Sequence, residues 1–181
     1  LTQSWQLYAE AAMPALERLY TIAPSFRAEK SRTRRHLTEF WHAEMEVAWA
    51  SNSEIMSHGE GLVRHIAKTV LEERESELVS MDRDLELLTR YADNPYPRMR
   101  YDEAVERLQS LNVEIEWGQD LDYSKEKILT QDFEVPHFLT HYPKIAKPFY
   151  HRVDPDDEKY VLCHDLLAPE GYGCLLYTSP S

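Results

Sequence analysis

Five cationic side chains fall within ten residues, Arg27, Lys30, Arg32, Arg34 and Arg35, against one acid, Glu29. A guanidinium is a planar fork that grips a phosphate or carboxylate through two parallel hydrogen bonds. Arg27 closes a segment that reads as extended, so its fork would project from a strand end. Glu29 lies two residues on and therefore on the same strand face. A carboxylate there can accept from an amino group such as that of adenine, and the loop arginines can meet outer phosphates. The chemistry is the holding of a bent polyphosphate. No Ser-His-Asp or Cys-His arrangement stands out, and this chemistry needs no nucleophilic side chain. Taken by composition alone, the same loop also reads as solvated surface, with Arg27 paired to a nearby acid.

The elements that must position these residues are legible from spacing. Trp5, Leu7, Tyr8, Ala12, Leu16 and Leu19 predict a helix over residues 4–19, with a kink at Pro14. Residues 20–29 read as extended and 30–36 as a polar loop. Residues 37–50 alternate strictly: Glu39, Trp41, Ala43, Met45, Val47 and Trp49 share one face. Phe40, His42, Glu44, Glu46 and Ala48 share the other. That period predicts a long strand of an antiparallel sheet with one apolar and one polar face. Helical spacing returns over 59–80 through Leu62, Val63, Ile66, Val70 and Leu78, with 72–77 as a solvated face. Asn94-Pro95-Tyr96-Pro97 reads as a loop, and residues 101–111 as a short amphipathic helix. Prolines 136, 143, 148 and 155 break the stretch 113–167 into short strands and loops.

A chain of 181 residues with 43% hydrophobic residues suits one domain or most of one. The net charge of −12 argues against a long groove tracking phosphates. A basic cluster on an acidic body fits a small anionic ligand such as a nucleotide. Two cysteines, Cys163 and Cys174, lack zinc-site spacing and make no disulfide framework, so a reducing cytoplasm is the expected location. No apolar stretch approaches a membrane span, and no basic-then-apolar leader follows Leu1.

Phe26-Arg27-Ala28-Glu29, a basic loop, then Arg35-His36-Leu37-Thr38-Glu39-Phe40 resembles the second signature motif of class II aminoacyl-tRNA synthetases, in their aspartyl/asparaginyl branch. The match is ungapped, and the resemblance runs from Leu1 to about Gly173. It implies an α+β fold, the class II catalytic domain: an antiparallel sheet flanked by helices, here incomplete at both ends. The motif would lie at 25–50 within a partial domain, 1–173. The resemblance also implies that Arg27 holds the α-phosphate and substrate carboxylate together as the catalytic residue. Arg27, Ala28, Glu29, Arg35, His36 and Leu37 would line the ATP site. Two anions must meet, so positioning and charge neutralisation carry the reaction. ATP and Mg2+ are the implied cofactors.

Gln3-Ser4-Trp5-Gln6-Leu7 resembles the Gln-Ser-x-Gln-Leu segment of the same branch, in which the second glutamine, here Gln6, reaches the amino acid. Aspartate-activating members carry a lysine three residues later, where this chain has Ala9. A buried lysine facing a neutral amide would lose its ionic partner, a mismatch of roughly 2–5 kcal/mol. Ala9 therefore suits asparagine, and Phe40-Trp41 points the same way. Lys147-Pro148-Phe149-Tyr150 resembles the strand beside the amino-acid pocket. The amino-acid site implied is Gln3, Gln6, Ala9, Arg27 and Phe149. Asp165 begins a segment resembling the approach to the magnesium site, with Asp165 the metal-binding carboxylate. Partners implied are tRNA(Asn), asparagine and ATP, with a homodimer in a full-length parent and no membrane.

The chain also departs from the branch. Cys174 stands where relatives carry a metal-binding glutamate, and thiolate suits magnesium badly. The Gly-Ser/Ala-Gln-Arg segment and the third family motif do not follow. Residues 174–181 continue no earlier pattern and read as a non-native or frameshifted tail. The expectation is a catalytic fragment inactive by itself, with exposed edges and apolar surface. Three readings compete with asparagine activation for tRNA: a synthetase-like asparagine synthetase, an aspartyl-tRNA synthetase, and a non-enzymatic tRNA-binding paralogue.

Overall fold

The computed structural model describes residues 1–28, 37–171 and 173–177. It divides into two compact units, residues 1–51 and the rest from residue 52 onward.

In the first unit, α1 (Gln6–Leu16) precedes β1 (Arg18–Phe26) and β2 (Glu39–Val47). Pro14 lies in the last turn of α1, where its missing N–H and its ring weaken the helix. Glu17 then takes φ 55 and turns the chain into β1. The strands pair antiparallel from Arg18↔Val47 through Ile22↔Ala43 to Phe26↔Glu39. The expected alternation is present, and residues 37–50 contract to a nine-residue strand. Its polar face is the half-buried one: Phe40, His42, Glu44 and Glu46 lie under α1 and the segment before it. The apolar face points to solvent, with Trp41 73% and Tyr20 78% exposed. Exposed apolar side chains also stand elsewhere, Leu7, Ile66, Ile145 and Phe149 among them.

The second unit holds α2 (Asn52–Glu73), α3 (Glu75–Ser80), α4 (Leu85–Asp93), β3 (Arg98–Arg100), α5 (Tyr101–Ser110), α6 (Tyr123–Leu129), β4 (His137–Pro143), β5 (Tyr160–Ala168) and β6 (Gly173–Tyr177). The sheet order is β3-β4-β5-β6. β3 runs parallel to β4, so the sheet is mixed; the other pairings are antiparallel as expected. The helix expected over 59–80 starts seven residues earlier and breaks at Arg74, leaving the acidic segment solvated as predicted. α6 corrects the reading of its segment as short strands and loops, and α4 falls in a stretch to which the spacing assigned no element. Each has a side-chain cap that short-range polar residues provide: Asp84 accepts from the Leu87 N–H at 2.9 Å, and Asp122 from those of Ser124 and Lys125.

Two cores cover the two faces of β4 and β5. Tyr101, Ala104, Val105 and Leu108 of α5 pack with Leu139, Val161, Cys163 and Leu167. Met56, Tyr96, Phe138 and Leu166 form the other. Strands buried on both faces read as continuous apolar runs, and each fully buried large side chain contributes about 1.5–3 kcal/mol. Residues 174–177 extend the sheet, Cys174 pairing with Leu167 and Tyr177 with Asp165.

Candidate active site

Arg27 follows directly on β1. Its backbone N–H donates to the Thr38 carbonyl at 2.9 Å, carrying the hairpin ladder one step further. Strand alternation puts its side chain on the face of Ser25, Phe40, His42 and Glu44, with the guanidinium carbon 5.4 Å from the Phe40 ring centroid. This is the projection from a two-stranded arm that the sequence predicts. Ala28 and Leu37 flank it and are exposed. The readings on Glu29, Arg35 and His36 fall outside the described residues.

Residues 2–6 strap across the same face. The Phe26 N–H donates to the Thr2 carbonyl at 2.9 Å, and Arg27 Nε donates to the Gln3 carbonyl at 3.3 Å. Glu44 accepts from Ser4 Oγ and from the Trp5 N–H, at 3.0 and 3.2 Å to its two oxygens. The Gln6 N–H donates to Ser4 Oγ at 3.1 Å. A carboxylate here meets the positive end of α1 as well as these donors. The strap thus brings Gln3, Gln6 and the fully buried Ala9 into the unit that carries Arg27. Gln6 Nε2 donates to Glu10 Oε1 at 2.9 Å, so its amide is engaged within the helix.

His42 and Glu44 are contributors that residue-type reasoning passed over, although the alternation had already set them on the Arg27 face. His42 Nδ1 lies 3.2 Å from Ser25 Oγ and 3.4 Å from Glu44 Oε2. Both contacts use one ring nitrogen, whereas a Ser-His-acid relay uses the two nitrogens separately. Burial holds His42 below the usual histidine range; the Glu44 carboxylate opposes this and the Arg27 charge reinforces it. Glu46 is pushed up, first by burial and then by the carboxylates of Glu10 and Glu44. This side of α1 and β2 is therefore electronegative beside the Arg27 cation.

The second unit carries Asp165 and Phe149. Asp165 Oδ2 accepts from the Tyr142 hydroxyl at 2.6 Å and lies 3.5 Å from Lys147 Nζ. Lys147 Nζ sits 3.8 Å from the Tyr142 ring centroid. Burial first, then the Asp165 charge, pushes the Tyr142 hydroxyl well up, so it stays a donor. A hard divalent cation needs several oxygens, and here one carboxylate is already engaged by a hydroxyl and an ammonium. The Cys174 thiol, pushed up by desolvation and then by Asp165 and Glu126, stays protonated and donates to the Leu176 carbonyl at 3.0 Å. Among the described residues no three of His, Cys, Asp and Glu group into a metal site. The donors among the described residues do not fit a resident magnesium ion. Phe149 is 99% exposed, its ring 5.7 Å from that of Tyr150. Cys163 and His164 are buried, the His164 ring lying edge-on to Phe138.

The chain matches a known family over nearly its whole length: residues 1–172 fit the model of tRNA synthetases class II (D, K and N). The chain belongs to that family. Asparagine enzymes are among the proteins it resembles. It is 53% identical over 173 residues to the asparagine--tRNA ligase of Thermococcus gammatolerans, covering 96% of this chain and 40% of that one. The solved asparaginyl-tRNA synthetase of Pyrococcus horikoshii, complexed with asparaginyl-adenylate, superposes with a TM-score of 0.93 at 49% identity, over 98% of this chain and 41% of that one. The aspartyl tRNA synthetase of Entamoeba histolytica superposes with a TM-score of 0.79 at 27% identity, over 96% and 37%. The chain thus spans about two-fifths of the length of the relatives it matches. Among the described residues no helix is long and apolar enough to cross a membrane.

Proposed function

We propose that this chain is part of an enzyme that activates asparagine with ATP and esterifies it to tRNA(Asn). The observation that carries the proposal is Arg27, projecting from the β1–β2 arm on the face crossed by the strap with Gln3 and Gln6, in the unit whose α1 carries Ala9. In-line attack of the amino acid's carboxylate on the α-phosphorus brings two anions together, and pyrophosphate leaves. Arg27 grips the carboxylate and the α-phosphate at once, lowering their repulsion and fixing the line of attack. Ala28, Glu29, Arg35, His36 and Leu37 complete the ATP site in this reading. The acidic side formed by Glu44 and Glu46 suits the substrate's ammonium group.

Asparagine is preferred over aspartate because Ala9 offers no cation to a side-chain carboxylate. Within one organism, Entamoeba histolytica, the asparaginyl-tRNA synthetase superposes with a TM-score of 0.86 and the aspartyl enzyme with 0.79, which supports the same choice. Phe149 remains an amino-acid-binding residue in this reading. Magnesium would arrive on the nucleotide's phosphates, and no step here is routed through Asp165. We place the partial catalytic domain at 1–173 and a foreign tail at 174–181; backbone pairing of β6 is open to nearly any sequence and is neutral on the tail's origin. A cytoplasmic, homodimeric parent completes the proposal.

ATP–pyrophosphate exchange tests it in two arms. The 181-residue chain alone is expected to give no exchange. A chimera in which residues 1–173 replace the matching segment of the Thermococcus gammatolerans relative is expected to exchange with asparagine and not with aspartate. Exchange with aspartate only, or robust exchange by the isolated chain, would overturn the corresponding part.

A further inference from the structure

Phe40, His42, Glu44 and Glu46 share one face of β2, and Ser25 and Arg27 lie on the same face of the hairpin. His42 meets two polar neighbours through one ring atom: Nδ1 lies 3.2 Å from Ser25 Oγ and 3.4 Å from Glu44 Oε2. A carboxylate oxygen only accepts, whereas a hydroxyl can accept or donate. A bare Nδ1 would set its lone pair against the Glu44 oxygen. The arrangement therefore selects the neutral ring with its hydrogen on Nδ1. Ser25 is almost fully buried, and the ring packs tilted on Phe40 with centroids 5.5 Å apart, so it has little room to turn over. Glu44 is in turn the anchor of the strap, accepting from Ser4 Oγ and the Trp5 N–H.

We propose, on the functional reading above, that His42 is a positioning residue of the amino-acid site. Its neutral ring, with the hydrogen on Nδ1, steadies the Glu44 carboxylate under the strap, and a proton added at Nε2 opposes the binding of an activated amino acid. The imidazolium is a second cation on the face of Arg27, set against a ligand that brings an ammonium group of its own. It also draws Glu44 from Ser4 and Trp5 into an ion pair, loosening the strap that carries Gln3 and Gln6. Both effects have the same sign. Burial first, with the Arg27 charge added, holds the ring below the usual histidine range against the pull of Glu44, so the neutral ring is the form at neutral pH. The charges that face the ring are Arg27 and Glu44. Glu46 on β2 and Glu10 on α1 stand on the same side, and Glu46, raised by burial and by those acids, is the other group there that takes up a proton early.

Nitrogen NMR of the 181-residue chain with labelled histidine tests the ring without any ligand. The expected spectrum of His42 is the Nδ1–H tautomer, with a titration midpoint below 6.5. Titration calorimetry with asparaginyl-sulfamoyl-adenosine tests the consequence, with circular dichroism as the control for folding. Affinity should fall about threefold or more between about pH 7.5 and pH 5, because ligand and proton compete. His42→Asn offers an amide N–H near the place of Nδ1 and takes up no proton, so it should flatten that profile. His42→Leu lacks the N–H and should bind about tenfold more weakly than His42→Asn at neutral pH, the effect of a lost hydrogen bond to a charged group. Glu46→Gln should retain the fall. A neutral ring with its hydrogen on Nε2, a midpoint above 6.5, or a fall that Glu46→Gln removes and His42→Asn leaves intact overturns the inference. So does His42→Leu binding as tightly as His42→Asn. No binding of the analogue at any pH instead overturns the functional reading beneath it.

Discussion

Replacing Ala9 with lysine should turn the amino-acid preference from amide toward acid. Ala9 is fully buried in α1, whose start is tied to β2 through Glu44. A lysine ammonium about 4 Å from a ligand carboxylate is worth roughly 4 kcal/mol at an effective dielectric near 20. Glu10, Glu44 and Glu46 lie on the same side, close enough to one another to raise Glu46, and they would share that ammonium. The part that reaches the ligand is therefore smaller, about 1.5–3 kcal/mol, or a change of about 10- to 150-fold in the ratio of two affinities. The assay is titration calorimetry with the sulfamoyl-adenosine analogues of asparaginyl- and aspartyl-adenylate, on the original chain and on Ala9→Lys. Overpacking a buried alanine costs about 1–3 kcal/mol of fold stability. The ratio of the two affinities cancels that cost, and urea unfolding measures it separately. An unchanged ratio, or a shift further toward the asparaginyl analogue, refutes the placement of Ala9 in the amino-acid site.

Two further outcomes follow from the second unit. His164 is fully buried, and desolvation, reinforced by the Arg98 charge, lowers its pKa from 6.5 to about 4. The unfolded state then binds the extra proton first, so stability is intact above pH 6.5 and falls as pH drops toward 4, by on the order of 3 kcal/mol. Urea melts across that range should show the slope, and His164→Phe should flatten it; an equal slope in the variant removes His164 as its source. Leu108→Ala, at a site with no exposure in the core under β4 and β5, should cost about 2–5 kcal/mol. A loss under 1 kcal/mol by the same melts would mean that this core is not close-packed.

The hairpin and its arginine were legible because a period of two over Phe40–Glu46 admits one local structure, and a register follows once both strands are set. Which face would be covered was not legible. Alternation says that Trp41, Ala43 and Met45 go together, and only the strap from Thr2 to Gln6 shows that the opposite face is the covered one. The strap rests on Ser4 and Glu44, forty residues apart, a contact that no local pattern announces. α4 and α6 were missed because helices of nine and seven residues offer too few turns for periodicity, although Asp84 and Asp122 were readable as caps. The Asp165 reading followed family likeness, and the neighbours that engage it, Tyr142 and Lys147, come from the preceding strand and the loop after it. β6 escaped because an edge strand needs only backbone groups to pair.

The most direct test of the central claim is the affinity of the 181-residue chain for asparaginyl-sulfamoyl-adenosine, compared with its Arg27→Ala variant. One guanidinium gripping two anions through charge-assisted hydrogen bonds predicts a loss of about 30-fold or more, with Arg27→Lys recovering only part of it because an ammonium has no fork. Equal affinity in the original chain and the folded Arg27→Ala variant, or no binding by the original chain, would contradict the account.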